Sequence, residues 1–228
     1  MDVQFLGKKI LRGSKTSLLK IGSMVIKIPL ALSACKELLQ EKKSIAAAKN
    51  DPHFAKYIPR YQHIGPMTLL PYIAPLENKA THETIMQRYF AQSFHKRNSW
   101  QRVPIHKLWN HELFFKFIDK TTPESRKKWE HIFDTIVAPQ SSSHGDFFLE
   151  NILGNEKKLF FIDWGYYQKT SSRYFDLINY AIFSKKLPEK TWSEYWEKLY
   201  NDSTTHLYNV PVNDQLLIAY ALWKTSIE

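Results

Sequence analysis

The sequence predicts an α+β protein with a small strand-rich N-terminal part and a larger helical remainder. Residues 3–28 are rich in aliphatic and β-branched side chains, with Gly13 and Gly22 as turn residues. From about residue 81 onward, apolar residues recur mostly at helical spacing. The composition changes near residue 75, and 228 residues are enough for two lobes. We therefore expect an N-lobe over residues 1–73 and a C-lobe over residues 74–228.

The N-terminal half is predicted to hold four strands and one helix. Strands are expected at 3–12, 17–21 and 24–28, with Pro29 ending the third. A helix is expected at 33–49, with Ser33 as its N-cap, because Leu38, Ile45 and Ala48 recur at helical spacing. After a loop, MTLLPYI at 67–73 is predicted to be a short buried strand.

The C-terminal half is predicted to be helical around one hairpin. The helical segments are 81–97, 110–120, 123–138, 172–183, 191–200 and 213–224, and Pro123 suits a helix start. Between them, SSSHGDFFLENIL at 141–153 is a loop that opens into a strand, and KKLFFIDWG at 157–165 is a second strand. The Gly154-Asn155 pair suits a hairpin between these two strands.

Composition indicates an ordinary globular protein. Apolar residues make up 43% of the chain and charged residues 24%. The single cysteine, Cys35, excludes an intramolecular disulfide and suits a reducing compartment. The start, MDVQFLGKKI, lacks the apolar stretch of a signal peptide, and no apolar run is long enough to span a bilayer. We therefore expect a cytoplasmic protein.

The net charge of +10 leaves several partners open. It suits a nucleic acid, peripheral contact with an anionic membrane surface or a phosphorylated ligand, and it is equally compatible with simple solubility. The lysine and arginine clusters are short, and no nucleic-acid-binding motif is present. We therefore do not expect nucleic acid as the partner, and the oligomeric state is not predicted.

Two polar clusters stand in apolar surroundings and direct attention to a site. Asp146 is followed by Phe147, Phe148 and Leu149, and Asp163 lies within FFIDWG at 160–165. Carboxylates with such neighbours need a partner, a proton or a metal ion. A zinc site is not expected, because the histidines are scattered and HELFF at 111–115 lacks the second histidine of a zinc-binding helix.

The motif His144-Gly145-Asp146-x-x-x-x-Asn151, followed by Ile162-Asp163-Trp164-Gly165, resembles the aminoglycoside phosphotransferase and choline kinase-like superfamily, which has the protein-kinase-like two-lobe fold. Gly145 stands where protein kinases have arginine, and Trp164 where they have phenylalanine. Both departures are closer to the small-molecule kinases than to the protein kinases.

The resemblance implies ATP and Mg²⁺ as cofactors and assigns roles to individual residues. Asp146 would be the catalytic residue that orients the acceptor hydroxyl and takes its proton, while Asn151 and Asp163 would bind the metal. Lys27, in the strand MVIKIP, would contact the nucleotide phosphates. Its expected partner is Glu41 on the following helix, with Glu37 as the alternative.

The resemblance implies further nucleotide contacts in the N-lobe. The turn RGSKTS at 12–17 would cover the phosphates through backbone N–H groups, helped by Ser14 and Thr16, although it lacks the glycines of a glycine-rich loop. Tyr72 and Ile73 would offer backbone contacts to the adenine, because Pro71 has no N–H. In the C-lobe, Asp176 would brace the loop around Asp146.

The sequence as a whole predicts a phosphotransferase that moves the γ-phosphoryl group of ATP to a hydroxyl of a small molecule or saccharide. The basic balance favours an anionic sugar or a cell-envelope glycolipid as the acceptor. Two alternatives stay open: a catalytically inactive kinase-like binding protein, and a basic nucleic-acid-binding domain.

Overall fold

The computed structural model describes residues 3–11, 14–76, 79–108, 123–184 and 204–227. The predicted helices at 110–120 and 191–200 and the residue Gly13 lie outside these ranges. Helices and strands are mixed throughout, which confirms the α+β class. Within the described ranges, no helix combines the length and apolar character needed to cross a bilayer.

The described helices are α1 Leu32–Ala48, α2 Lys79–Ser93, α3 Pro123–Thr135, α4 Arg173–Phe183 and α5 Asp214–Ile227. The described strands are β1 Val3–Leu11, β2 Ser14–Ile21, β3 Met24–Pro29, β4 Gln62–Ile64, β5 Met67–Pro71, β6 Arg102–Pro104, β7 Val137–Pro139, β8 Ser141–Ser143, β9 Ile152–Asn155, β10 Lys158–Phe161, β11 Gln168–Ser171, β12 Thr204–Leu207 and β13 Val210–Asn213.

Contacts along the chain divide it into two compact units. The first unit combines Met1–His82 with Glu150–Tyr167, and the second combines Glu83–Leu149 with Gln168–Glu228. This division differs from a single boundary after residue 73, because it groups the β9–β10 hairpin with the N-terminal residues.

The backbone explains why the β9–β10 hairpin belongs to the first unit. The Gly154 N–H donates to the Ala74 carbonyl over 3.0 Å, and Pro75 forms a β-bridge with Leu153. These bonds tie the hairpin to the chain that leaves β5. They join residues about 80 positions apart, so local sequence patterns could not reveal them.

The first unit is built on one antiparallel sheet in the order β1-β2-β3-β5-β4. The three strands predicted before residue 29 are confirmed, with β2 beginning at Ser14 rather than at residue 17. The strand β4 was predicted to be loop. Its sequence QHI carries no apolar alternation, and it is a strand because Gln62 and Ile64 pair with Leu69 and Met67 of β5.

Helix α1 packs on the sheet against β2, β3 and β5. Its buried positions follow the helical spacing expected of a core-facing stripe: Ala34, Leu38, Glu41, Ser44, Ile45 and Ala48. The predicted cap at Ser33 is wrong. The helix begins one residue earlier, at Leu32, and Ala31 at the cap position makes no side-chain hydrogen bond.

The second unit surrounds helix α4, whose residues 173–181 are all buried. This helix packs against β8, β12 and α5. Short antiparallel pairs, β6–β7, β8–β11 and β12–β13, complete the described part of the unit. Strands of three or four residues are too short for a period-two pattern to be recognised, and none of these pairs was predicted.

Candidate functional site

Lys27 and Glu41 form a buried ion pair within the first unit. Lys27 lies on β3, between β2 and β5, and is only 6% exposed. Its Nζ donates to Glu41 Oε1 over 2.8 Å and to Oε2 over 3.1 Å. Glu41 is buried on the apolar stripe of α1, whereas Glu37 is exposed. A lysine this deeply buried needs a carboxylate partner, and the structure supplies Glu41.

Asp163 is the second carboxylate on Lys27. It follows β10 by two residues, and its Oδ1 accepts a hydrogen bond from the Lys27 Nζ. Its backbone is left-handed, with a φ of 61°. Aspartate tolerates this region better than most residues, at a cost of about 1 kcal/mol or more. Left-handed residues of this kind tend to occur at functional sites.

The turn after Asp163 is held by the core of the first unit. The Trp164 indole N–H donates to the Phe161 carbonyl over 2.8 Å, and the Trp164 ring meets the Phe54 ring edge-to-face at 5.4 Å. Helix α1 also packs against this turn. These contacts compensate for the left-handed backbone and fix the position of the carboxylate beside Lys27.

The two carboxylates keep Lys27 charged. Burial by itself lowers the pKa of a lysine, but here the negative charges of Asp163 and Glu41 outweigh burial and raise the pKa of Lys27 above its usual value. The three groups together carry one net negative charge. A site with one fixed cation and excess carboxylate suits a polyphosphate that arrives with a divalent cation.

Asn151 lies opposite Ile162, the residue before Asp163, at the open end of the β9–β10 hairpin. It is 2% exposed and ends a short 3-10 turn at Leu149–Asn151. Its backbone carbonyl accepts the Ile162 N–H over 3.0 Å, continuing the register that pairs Ile152 with Phe161. The structure thus brings the two predicted metal ligands to neighbouring backbone positions.

The predicted phosphate-covering turn is largely strand. Ser14 opens β2, and Thr16 pairs with Lys9 of β1 on one side and Pro29 of β3 on the other. Backbone N–H groups of a strand paired on both sides are used by the sheet, so a six-residue turn over 12–17 is wrong. The remaining connection, residues 12 and 13, lies outside the described residues.

The backbone after β5 uses its two sides differently. The Tyr72 N–H donates to the Ser23 carbonyl over 2.7 Å, on the β3 side. Successive residues of a strand direct their backbone groups to opposite sides, so those of Pro71 face the side on which β4 lies. The pairing of β4 with β5 reaches only as far as Leu69, two residues before Pro71. A proline there removes no ladder hydrogen bond. The Tyr72 N–H is therefore committed within the sheet, and the carbonyl of Pro71 points to the unpaired side.

In the second unit, the loop that carries Asp146 is fixed to α4. The N–H groups of His144 and Gly145 donate to the two carboxylate oxygens of Asp176 over 2.8 and 3.0 Å. Gly145 has a φ of 85°, which only glycine adopts without strain, and this explains why no side chain stands there. The His144 ring is fully buried and packs edge-to-face on Phe147 at 5.7 Å.

The buried carboxyl of Asp176 is strongly perturbed. Burial raises the pKa of Asp176 to about 7, although the loop amides of His144 and Gly145 and the charge of Arg173 act in the opposite direction. The sequence resemblance had already assigned this residue a bracing role. Asp146 itself is half-buried. It directly follows His144 and Gly145, whose N–H groups donate to Asp176 of α4.

One holding residue was missed at the sequence level. Asn179 lies one turn after Asp176 on α4, and its Nδ2 donates to the Phe147 carbonyl over 3.0 Å. The available signal was an asparagine within the apolar run RYFDLINYAIF, a position where a polar side chain must find a buried partner.

Comparison with known proteins finds likeness at the level of structure. No protein-family profile and no curated protein sequence matches the chain. Its structure is similar to a choline/ethanolamine kinase family protein from Mesorhizobium loti, with 13% identity and a TM-score of 0.53 over 100% of this chain and 76% of that one.

Two further solved structures are similar over nearly their whole length. A thermostable mutant of aminoglycoside phosphotransferase APH(4)-Ia is 10% identical with a TM-score of 0.56, covering 100% of this chain and 88% of that one. Choline kinase LicA from Streptococcus pneumoniae is 13% identical with a TM-score of 0.51, covering 99% and 94%. The chain therefore has the fold shared by the choline kinase and aminoglycoside phosphotransferase structures, as the motif around Asp146 and Asp163 predicted.

Proposed function

We propose that the chain is an ATP-dependent phosphotransferase that moves the γ-phosphoryl group to a hydroxyl of a small molecule or saccharide. The observation that carries the proposal is Lys27, buried in the sheet and ion-paired with both Glu41 and Asp163. A lysine oriented by a helix glutamate, beside an aspartate that follows a strand, is the arrangement with which kinase-like folds hold nucleotide phosphates.

The nucleotide contacts are assigned to the first unit. Lys27 would bind the phosphates, and Glu41 would keep its ammonium group oriented. For the adenine edge, Tyr72 is bonded to Ser23 on the β3 side, which leaves the Ile73 backbone as the proposed contact to the base. Ser14 and Thr16 stay proposed phosphate contacts from β2, without the backbone cradle of a turn.

The residues present fit Mg²⁺ as the metal. Mg²⁺ prefers hard oxygen ligands and takes one or two from the protein, with phosphates and water completing its shell. Asp163 offers a carboxylate, and Asn151 an amide oxygen at a neighbouring backbone position. When bound, Mg²⁺ would neutralise the charge of the phosphates.

Asp146 is proposed as the residue that acts on the acceptor. Its carboxylate would accept a hydrogen bond from the acceptor hydroxyl, orient the oxygen for in-line attack and take up the proton. The hydroxyl oxygen forms the new bond to the γ-phosphorus, and the bond from that phosphorus to the bridging oxygen breaks, releasing ADP. Such general-base assistance is typically worth about 10²–10⁴-fold in rate.

The acceptor class rests on charge. The net charge of +10 favours an anionic acceptor such as a phosphorylated sugar or an envelope glycolipid. The single cysteine, which is free, is in keeping with a reducing compartment, and we place the activity in the cytoplasm. Lys27, Asp146, Asn151 and Asp163 fill all the chemical positions of the motif, which favours an active enzyme over an inactive binding protein.

The test combines nucleotide binding with turnover. Saturating MgATP should raise the unfolding temperature of the wild-type protein, since a ligand at 100 times its Kd stabilises the native state by about 2.7 kcal/mol. Asp163→Asn should lose the magnesium-dependent part of this shift. A panel of neutral and phosphorylated sugars and alcohols, assayed by ADP release, then identifies the acceptor.

The aspartate variants decide between the alternatives. Asp146→Asn should lower kcat by at least about 100-fold while the MgATP-induced shift is retained. Asp134→Asn serves as the matched control, because Asp134 is an exposed aspartate of the same unit. Absence of any nucleotide-induced shift would contradict the proposal, and binding without turnover on the whole panel would favour the inactive alternative.

A further inference from the structure

Helix α4 holds the Asp146 loop from both sides. Asp176 accepts the N–H groups of the two residues before Asp146, and Asn179 donates to the carbonyl of the residue after it. Asp176 and Asn179 are three positions apart, so they project from the same face of the helix. The backbone on each side of Asp146 is therefore fixed by a buried side chain of α4.

The orientation of Asn179 is set by a third residue. The Phe147 carbonyl can only accept a hydrogen bond, so the amide nitrogen of Asn179 must face it. The amide oxygen then faces Tyr220 of α5, whose hydroxyl donates to it over 2.8 Å. Asn179 is 1% and Tyr220 4% exposed, so water cannot readily replace this hydroxyl.

We propose that Tyr220 is a positioning residue for Asp146 that acts through Asn179. Its hydroxyl holds the Asn179 amide in the orientation that bonds the Phe147 carbonyl. Without it, the amide oxygen is buried with no donor, and the amide can rotate away from the loop. This inference rests on the proposed role of Asp146 and places part of the catalytic geometry on the C-terminal helix.

The variant Tyr220→Phe removes the hydroxyl and keeps the ring. The matched control is Tyr208→Phe. Tyr208 is also buried in the second unit, and its hydroxyl and that of Ser184, just after α4, bond each other over 2.9 Å. Both variants lose one comparable hydroxyl, so a difference between them reports on the connection to Asn179.

The first readout is independent of catalysis. Hydrogen exchange of the amides at 144–149, followed by mass spectrometry, should be about tenfold faster in Tyr220→Phe, the equivalent of one lost hydrogen bond, and within about twofold of wild type in Tyr208→Phe. Equal exchange in Tyr220→Phe and wild type would overturn the inference. This readout decides the inference even if no acceptor is ever phosphorylated, an outcome that would instead overturn the proposed function.

The second readout uses turnover. Tyr220→Phe should lower kcat by about tenfold and leave the KM for MgATP unchanged, because the hydroxyl acts on the acceptor-facing loop. Adding Tyr220→Phe to Asn179→Ala should lower kcat no further, since the intermediary is already gone. Additive losses, or a kcat loss that Tyr208→Phe reproduces, would show that Tyr220 does not act through Asn179.

Discussion

The cluster of Lys27, Glu41 and Asp163 predicts that two single substitutions differ in how much they lower the free energy of unfolding. Replacing the cation, Lys27→Met, leaves two carboxylates around an apolar side chain. Replacing one anion, Glu41→Gln, leaves Lys27 paired one-to-one with Asp163. The lysine variant should therefore be much less stable than the glutamine variant, although each changes a single charge of the cluster.

The magnitudes follow from the geometry. With an effective dielectric constant of about 20, the attraction across the 2.8 Å between Lys27 and Glu41 is about 6 kcal/mol. The repulsion between carboxylates that share one ammonium, roughly 5 Å apart, is about 3 kcal/mol. Desolvation offsets much of this, so we expect losses in unfolding free energy of about 3–5 kcal/mol for Lys27→Met and about 1–3 kcal/mol for Glu41→Gln.

The pH dependence separates this explanation from simple loss of packing. In Lys27→Met, the buried carboxylate of Glu41 and the half-buried carboxylate of Asp163 disfavour each other's ionisation, which raises a carboxyl pKa above its unfolded value. The folded variant then binds more protons than the unfolded chain, so its stability rises as pH falls from 7 to 5. In wild type, Lys27 contributes constantly over this window, because its pKa is raised from an already high value.

Urea unfolding at pH 7 and pH 5 measures both effects. Glu37→Gln, one helical turn from Glu41 but exposed, is the matched control and should change the unfolding free energy by less than about 0.5 kcal/mol. The electrostatic reasoning is refuted if Glu41→Gln costs as much as Lys27→Met. It is also refuted if the deficit of Lys27→Met is the same at both pH values.

Two other substitutions test the loop and the hairpin. Asp176→Asn places an NH₂ group against a backbone amide, so we expect a loss of about 1–3 kcal/mol at pH 8. Because the pKa of Asp176 is raised to about 7, folding takes up a proton there, and wild-type stability should rise as pH falls from about 7 towards 4. Asp176→Asn should lack that rise, and parallel urea-unfolding profiles from pH 8 to pH 5 would contradict it. Gly154→Ala should cost about 1–3 kcal/mol or more, because φ is 113° and the new Cβ would lie 2.2 Å from the Lys158 carbonyl oxygen. Gly65→Ala, also at positive φ but with open space around it, should cost less, and equal losses in thermal unfolding would show that the clash is relieved.

Local sequence patterns were sufficient to predict the features that depend on neighbouring residues of one element. The apolar stripe of α1 carries Glu41 at a core position, as helical periodicity indicated, and this favoured Glu41 over Glu37 as the partner that the family resemblance implied for Lys27. The Gly154-Asn155 pair between two strand-like segments likewise predicted a hairpin, and β9–β10 confirms it. The prediction of Ser33 as the N-cap rested on the frequency of serine at that position. It was wrong because the helix begins one residue before Ser33.

Long-range pairing decided what local pattern could not. The extension of β2 through Ser14 and Thr16 depends on strands on both sides, and β4 exists because β5 offers an edge. The same holds for Asn179, which lies about 30 residues from Phe147, and for Tyr220 on another helix, whereas the bracing role of Asp176 was already implied by the family resemblance.

Residue types and short spacings alone were enough to indicate the mixed class and the kinase-like motif, since each depends on periodicity within one element or on neighbours in the chain, and the resemblance carried by that motif implied the pairing of Lys27 with Glu41. The backbone angle of Asp163, its contact with Lys27 and the bonds of Asn179 and Tyr220 behind the Asp146 loop emerge only when distant segments pack together. A buried polar group must find its partner wherever the fold brings one within about 3 Å, and that partner's position in the sequence is not constrained by any local rule.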